Sequence, residues 1–236
     1  MRLDKFLTEL GVGTRSEVKK ILKTGQVTVN GTPVKKPEEK IDETKDIVAY
    51  QGKALAYERF EYYMFHKPSG CVTAISDAHH KTVMDYMKTL TRKDLNPVGR
   101  LDIDTEGLLL ITNDGMLSHE LLSPAKHVPK TYYAKIEGIV TEEDVNLFAE
   151  GVDIGEKKLT KPAELKILVN DTISEIELTI SEGKFHQVKR MFEAVNKKVV
   201  YLKRISMGSL SLDEDLKPGE YRSLTENEIE TLRAVH

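Results

Sequence analysis

The chain has 236 residues, 39% of them hydrophobic and 31% charged, which is enough for one large domain or for a large and a small one. No run of eighteen apolar residues occurs and the amphipathic, acid-containing N-terminus lacks the apolar stretch of a signal peptide, so we expect no membrane association. The single cysteine, Cys71, excludes an internal disulfide and a thiolate zinc site, and these features together predict a cytoplasmic protein.

The charge is unevenly distributed along the chain. The net charge is −3, but residues 1–36 hold eight Lys or Arg against three acids, and residues 184–204 hold seven against one. Residues 211–236 offset this with seven acids against three basic residues. A solvated surface explains any one such run, whereas two separated basic segments create local positive potential and favour a polyanionic partner.

The N-terminal part carries the patterns of a small helical module. Apolar residues at i, i+3, i+4 and i+7 predict an amphipathic helix over residues 3–10. Thr14 and Glu17 form a capping box that begins a second helix, and the Asn-Gly pair within residues 26–34 predicts a β-hairpin. We therefore predict a helix–helix–hairpin domain with its charged linker over residues 1–58. Basic side chains lie mostly on the outer faces of the two helices, at Arg2, Lys5, Arg15, Lys19, Lys20 and Lys23.

Residues 59–236 mix strand and helix patterns irregularly. Apolar or alternating runs predict strands at 62–65, 108–112, 132–136, 163–168, 173–180 and 199–205. Helical spacing predicts helices at 141–149, 188–195 and 225–235, and Gly-containing stretches predict turns at 66–70 and 113–115. This order predicts an α+β domain with a mostly antiparallel mixed sheet rather than a regular parallel series.

The stretch GRLDIDTEGLLLITNDG places three acids directly before a run that must be buried. If this segment were extended, Asp102 and Asp104 would point the same way, with Cα atoms roughly 6.5–7 Å apart. That spacing falls within the range of about 6.5–9.5 Å between the carboxyls of an inverting glycosidase. A divalent metal site that also uses Glu106 is a second interpretation, and an Asp102 that caps a turn and pairs with Arg100 is a third. The residues alone leave these three open.

A cationic cluster occurs in GKFHQVKRM. Helical spacing brings His186, Lys189 and Arg190 together near the start of a predicted helix, where the helix dipole disfavours positive charge. An anionic partner or a buried carboxylate would account for the cluster, and a solvated basic face is the alternative. In KTYY, Tyr132 and Tyr133 point to opposite sides of a strand, so one is expected in the core while the other is placed to stack on a nucleotide base.

Four stretches together resemble a known family. The N-terminal helix–helix–hairpin is similar to an S4 RNA-binding module. HKPSG, GRLDIDTEGLLLITNDG, KTYYAKIEG and EGKFHQVKRMFEAVN then occur in the order found in the pseudouridine synthases of the RsuA group. The resemblance covers nearly the whole chain, and GRLDIDT, KLTKPAEL and LKPGEYRSLTENEI are most similar to the enzymes of this group that modify 16S ribosomal RNA of the small subunit.

The resemblance implies an S4 domain over residues 1–58 that binds RNA through its basic side chains, and a pseudouridine synthase domain over residues 59–236. It implies that Asp102 is the essential catalytic acid, that Tyr132 packs against the target base, and that Lys189 pairs with Asp102. Many relatives carry arginine in place of Lys189, and lysine keeps the charge but loses the bidentate geometry. Further substrate-binding residues are expected at Arg100, Lys67, Lys130, Lys184, His186, Gln187 and Arg190.

The implied reaction is an isomerisation of uridine in RNA by base flipping, which needs no cofactor and no metal. The expected partner is 16S ribosomal RNA, either free or within a small-subunit assembly intermediate, and the expected state is a monomer. Two alternatives stay open. One is an enzyme of the same group that modifies the 23S RNA of the large subunit, and the other is a non-catalytic S4-type RNA-binding protein of ribosome assembly.

Overall fold

The structure is a computed structural model that describes residues 1–57, 59–90, 92 and 94–234. The chain forms two compact units, one of residues 1–61 and 87–95 and the other of residues 62–86 and 96–236. The segment 87–95 thus joins a unit outside the domain in which the sequence placed it, while the boundary at Glu58 lies outside the described residues. None of the described helices has the length and apolar character that crossing a membrane requires.

The first unit packs two helices against a small sheet. Helices α1 (Leu3–Glu9) and α2 (Arg15–Lys23) precede strands β1 (Val27–Val29), β2 (Thr32–Pro33), β3 (Val48–Tyr50) and β4 (Lys53–Ala54), arranged in the order β2-β1-β3-β4. The predicted capping box is present, because Thr14 accepts from the Glu17 N–H and Glu17 accepts from the Thr14 N–H. Asn30 and Gly31 both have positive φ, as the predicted two-residue hairpin turn requires. Both helices and the hairpin are therefore confirmed.

The second unit is built on one nine-stranded sheet. Its strands are β5 (Tyr62–Lys67), β6 (Asn96–Pro97), β7 (Glu106–Thr112), β8 (Lys130–Glu137), β9 (Glu164–Val169), β10 (Ile173–Ile180), β11 (Lys198–Met207), β12 (Leu210–Ser211) and β13 (Tyr221–Ser223). The main order is β13-β5-β7-β11-β8-β10-β9, with β6 beside β7 and β12 beside β11. Only β7 and β11 are parallel among these described strands, so the predicted mostly antiparallel α+β fold is confirmed.

Four α-helices complete the second unit, with a 3-10 helix at Val83–Met87. They are α3 (Gly115–Leu122), α4 (Glu142–Glu150), α5 (Gln187–Ala194) and α6 (Glu226–Arg233). The chain turns after Thr112 as predicted, but a helix that the sequence analysis did not predict follows at once, because the Asp114 side chain accepts the Leu117 N–H and caps α3. The predicted turn at 66–70 also begins too early, since β5 continues through Lys67. The predicted end of the last helix, Val235, lies outside the described residues.

One close backbone contact fixes how the strand after the acidic stretch enters the sheet. Gly107 on β7 lies opposite Arg204 on β11 in the parallel pair. A Cβ on Gly107 would lie 2.2 Å from the Arg204 carbonyl oxygen, and the φ of Gly107 is +104°. Only glycine satisfies both conditions, so the sequence Glu-Gly-Leu allows the loop before β7 to approach β11.

Candidate active site

A cavity of about 460 Å³ lies against one face of the second unit's sheet. Its volume falls within the range of about 300–1,000 Å³ that is typical of small-molecule sites. Three parts of the chain form most of its wall: the loop 99–105 before β7, the segment 122–124 after α3, and the segment 181–189 that leads into α5. Side chains of β8, β10 and β11 form its floor.

The floor follows from the strand register. Tyr132 on β8 lies opposite Arg204 on β11, and Lys130 lies opposite Ile180 on β10, so these side chains share one face of the sheet. Tyr132 is only 8% exposed and lines the cavity. Tyr133 has no place in the lining, and its hydroxyl donates to Glu175 at 2.6 Å. The two tyrosines face opposite sides of the sheet as predicted, but neither is a core residue away from the site: Tyr132 is the buried one and lines the cavity, whereas Tyr133 is half-buried.

Asp102 meets two basic side chains at the cavity wall. Its Oδ2 lies 3.3 Å from Lys189 Nζ, and its Oδ1 lies 3.6 Å from His186 Nε2. Lys189 Nζ also donates to Asp104 Oδ1 at 2.6 Å. Burial lowers the pKa of Lys189, but the hydrogen bond to Asp104 and the charges of both acids raise it by more, so the net shift is upward. The structure therefore brings together a carboxylate and a cation that stays protonated.

The acidic stretch is a turn and not a strand. The Thr105 N–H donates to the Asp102 carbonyl at 3.1 Å, so the extended geometry that suggested a glycosidase pair is wrong. The Asp104 side chain is 61% exposed, and Glu106 accepts the Tyr201 hydroxyl at 2.8 Å. Within the described part of the chain, no group of three or more potential ligands is arranged to hold a metal ion. Arg100 lines the cavity, and the basic side chains within 4 Å of the Asp102 carboxylate in that part are Lys189 and His186, not Arg100.

The prediction that Lys67 contacts the substrate is not met by its position in the structure. Its side chain is completely buried, and it does not line the cavity. Its Nζ donates to the carbonyls of Thr105 at 2.8 Å and Ile103 at 3.4 Å, while the Gly70 N–H donates to Ile103 O at 2.7 Å. The HKPSG stretch thus holds the backbone of the Asp102 loop, and Lys67 contacts that backbone rather than the cavity.

Of the remaining predicted substrate-binding residues, those in the segment before α5 and at its start line the cavity, whereas Arg190 does not. Lys184, His186 and Gln187 line the cavity. Gln187 also shapes the segment, because it accepts the Lys184 N–H at 2.9 Å and donates to Glu182 at 3.0 Å. Arg190 is a second correction. It is absent from the lining, and its guanidinium binds Glu156 at 2.9 Å together with the carbonyls of Phe185 and Ile154.

Two cations in the floor form no ion pair with a carboxylate of the described residues. Arg204, which the sequence prediction missed, is 2% exposed and donates through Nε to the Leu108 carbonyl at 2.8 Å. Its Nη2 has no hydrogen-bond partner, and no described carboxylate forms an ion pair with it. Lys130 donates to the Val128 carbonyl at 3.0 Å, and burial together with the charge of Arg204 lowers the pKa of Lys130 to about 8. A charged residue on the buried face of a strand was the signal available in the sequence.

The six basic residues of α1 and α2 and their flanks that the sequence singled out are all exposed, as predicted. Arg2 is held by Asp4 at 2.8 Å, and Lys5 lies 3.6 Å from Glu9. The other four form no ion pair within the described residues: Arg15, Lys19, Lys20 and Lys23. The positive charges on α2 are therefore less neutralised by neighbouring acids than those on α1.

Comparison with known proteins identifies the class. Residues 61–194 match the RNA pseudouridylate synthase family, and residues 1–48 match the S4 domain. The chain therefore belongs to the RNA pseudouridylate synthase family and is an isomerase with an N-terminal S4 domain.

Several relatives match this chain over nearly the whole length of both proteins. The chain is 48% identical over 238 residues to the uncharacterized RNA pseudouridine synthase YtzG of Bacillus subtilis (strain 168), covering 98% of each chain. It is 45% identical over 232 residues to ribosomal small subunit pseudouridine synthase A of Escherichia coli (strain K12), covering 97% of this chain and 98% of that one. A solved structure described as a pseudouridylate synthase is 42% identical, with a TM-score of 0.70 over 98% of this chain and 99% of that one. The resemblance seen in the sequence is thus confirmed.

Proposed function

We propose that this chain converts one specific uridine of 16S small-subunit ribosomal RNA to pseudouridine, with Asp102 as the essential acid. The observation that carries the proposal is the position of Asp102 at the cavity wall, 3.3 Å from the Lys189 ammonium and beside a floor made by Tyr132. The small-subunit target is supported by the name and the 45% identity of the Escherichia coli relative.

The target uridine must leave the RNA stack to enter such a site. Flipping costs a few kcal/mol, which contacts to the base and to the flanking backbone offset. Tyr132 provides a largely buried aromatic surface in the floor, against which a planar base packs. Arg100 lines the cavity and is exposed, so it is suited to a phosphate of the flipped strand.

The reaction breaks the bond between N1 and C1′ and forms a bond between C5 and C1′. The electron pair of the broken bond leaves with the uracil, which turns within the cavity before C5 attacks C1′. A proton then leaves C5 and N1 gains one, so atoms and charge balance without a co-reactant. Asp102 serves either as nucleophile at C1′ or as base at the ribose, and both roles require its ionised form.

The uncompensated cations in the floor favour this step. Negative charge appears on the uracil oxygens while the base is detached, and preorganised positive groups in a buried site stabilise such charge. Arg204 and Lys130 supply that field from the face on which Tyr132 lies. The phosphates remain part of a continuous strand and stay near the cavity entrance, so the floor is reached by the base.

Pseudouridine mapping in a strain that lacks the chain tests the proposed target. We expect one pseudouridine to disappear from small-subunit ribosomal RNA and to return when the wild-type gene is supplied. Loss of a large-subunit site instead would reassign the target to the 23S RNA. An unchanged pattern in both RNAs would favour the non-catalytic alternative.

Salt dependence of RNA binding tests the role of the S4 domain. Replacing Lys19, Lys20 and Lys23 by Gln removes three exposed charges from α2. Because each phosphate contact on single-stranded RNA contributes about 0.7 to the slope of log affinity against log salt, we expect the slope to fall by about 2. The matched control replaces Lys45 and Lys53 by Gln on the same unit and should leave the slope nearly unchanged. Equal slopes for wild type and the triple variant would contradict this role.

A further inference from the structure

Phe185 is a large aromatic residue that is exposed to solvent. Its side chain is 67% exposed, although it lies in the wall of the active-site cavity. Its ring stacks on His186, with centroids 3.8 Å apart and planes 18° from parallel. The His186 ring therefore covers one face of the Phe185 ring, and the rest of the Phe185 side chain stays available to a partner.

The local backbone holds this ring pair in place. His186 has φ +49° and ψ +35°, a left-handed conformation that a non-glycine residue adopts at a cost. Arg190 donates to the Phe185 carbonyl at 3.0 Å and to Glu156 at 2.9 Å, which fixes the segment from the side away from the cavity. Such strain at a cavity wall, maintained by surrounding contacts, points to a functional use of the side chains it displays.

The surroundings indicate the chemistry of the partner. Five Lys or Arg residues line the same cavity against two acids, Asp102 and Glu182, so the exposed ring belongs to a lining of net positive charge. Aromatic rings on basic surfaces are the usual stacking sites for bases of single-stranded nucleic acid, because every base has a π-face. The floor of the cavity is already taken by the target base in the proposed reaction, and Tyr132 is the aromatic residue there. Phe185 at the wall is thus left for a different base.

We propose that the Phe185–His186 ring pair is a stacking platform for a base that neighbours the flipped uridine. Flipping leaves the adjacent bases without one stacking partner, and the platform replaces that partner. The platform also reaches the catalytic acid, because His186 Nε2 lies 3.6 Å from Asp102 Oδ1. This inference rests on the proposed function in that the bound strand is RNA, and it assigns Phe185 a positioning role.

Binding measurements with two substitutions test the platform. The Asp102→Asn chain prevents turnover, and the RNA is a short fragment that the wild-type chain modifies. Phe185→Leu keeps an apolar side chain but removes the π-face, so we expect the dissociation constant to rise about 5-fold or more, within the range of base–aromatic stacking. Phe185→Tyr keeps the ring and should bind within about twofold of the parent. Ile173→Ala, which shortens an exposed apolar residue at the far end of β10 from Ile180, is the control and should have no effect.

A double-mutant cycle identifies the partner base. The same binding is measured on fragments in which the nucleotide 5′ or 3′ of the target lacks its base. If the platform stacks on one of these bases, Phe185→Leu loses no further affinity on that abasic fragment and keeps its full loss on the other. An equal loss on all fragments, or no loss on any, overturns the proposal. A wild-type chain that modifies no ribosomal fragment would overturn the proposed function instead, and the loss of affinity on Phe185→Leu can still be measured on any single-stranded RNA that the chain binds, where no loss overturns the platform.

Discussion

Asp102→Asn is expected to abolish pseudouridine formation and to leave RNA binding within a few-fold of the wild type. Asparagine has the same shape but no negative charge, so it can neither attack C1′ nor accept a proton from the ribose. We expect the rate of a single turnover to fall by at least about a thousandfold, which corresponds to about 4 kcal/mol of transition-state stabilisation. The measurement is single-turnover pseudouridine formation on an RNA fragment, with binding followed separately.

Asp104→Asn is the matched control for this substitution. Asp104 also contacts Lys189, at 2.6 Å, yet its side chain is 61% exposed and it does not line the cavity. The control removes one partner of Lys189 and keeps Asp102, so we expect the rate to stay within about tenfold of the wild type. An Asp102→Asn chain that retains activity, or an Asp104→Asn chain that loses as much, would refute the choice of Asp102 as the acid.

The fold was predictable wherever a local pattern decides the structure. The capping box at Thr14, the Asn-Gly hairpin and the alternation of β10 each act within a few residues, and the structure has all three. The helix that begins after Asp114 was not predicted, because the short Asp side chain is equally common in a turn and at the start of a helix. The helix that follows, α3, has a mostly apolar sequence with a weak helical pattern, so nothing local distinguished the two outcomes.

The site was harder to predict because its geometry depends on distant contacts. Spacing alone left Asp102 among three interpretations, and only the resemblance to a family singled it out. Lys67 was placed against the substrate, whereas it binds carbonyls that lie 36 and 38 residues further along the chain. Arg190 shares a helix with Lys189 but points to a loop 34 residues earlier. No period in the sequence carries that information. Arg204 differs, because a charged residue on the buried face of a strand was a signal that the sequence did offer.

Gly107→Ala is expected to destabilise the second unit more than any surface substitution. The added Cβ would lie 2.2 Å from the Arg204 carbonyl oxygen, and φ at this position is +104°. The clashing atoms belong to the backbone of β11 and cannot move aside as a flexible side chain would. The clash can therefore be removed only if β7 and β11 move apart. Backbone strain of about 1–3 kcal/mol and overpacking of about 1–3 kcal/mol together give an expected loss of about 2–6 kcal/mol in the free energy of unfolding.

Gly70→Ala separates the clash from the strain. Gly70 has φ +85°, close to that of Gly107, but no atom lies within 4 Å of the position its Cβ would occupy. Its substitution should cost only the backbone term, about 1–2 kcal/mol. Urea unfolding followed by circular dichroism compares the two variants, and equal midpoints would mean that β7 and β11 do not approach as described. Since β7 carries the Asp102 loop at its start and β11 carries Arg204, Gly107→Ala should also displace the acid from the floor and lower activity in the fraction that remains folded.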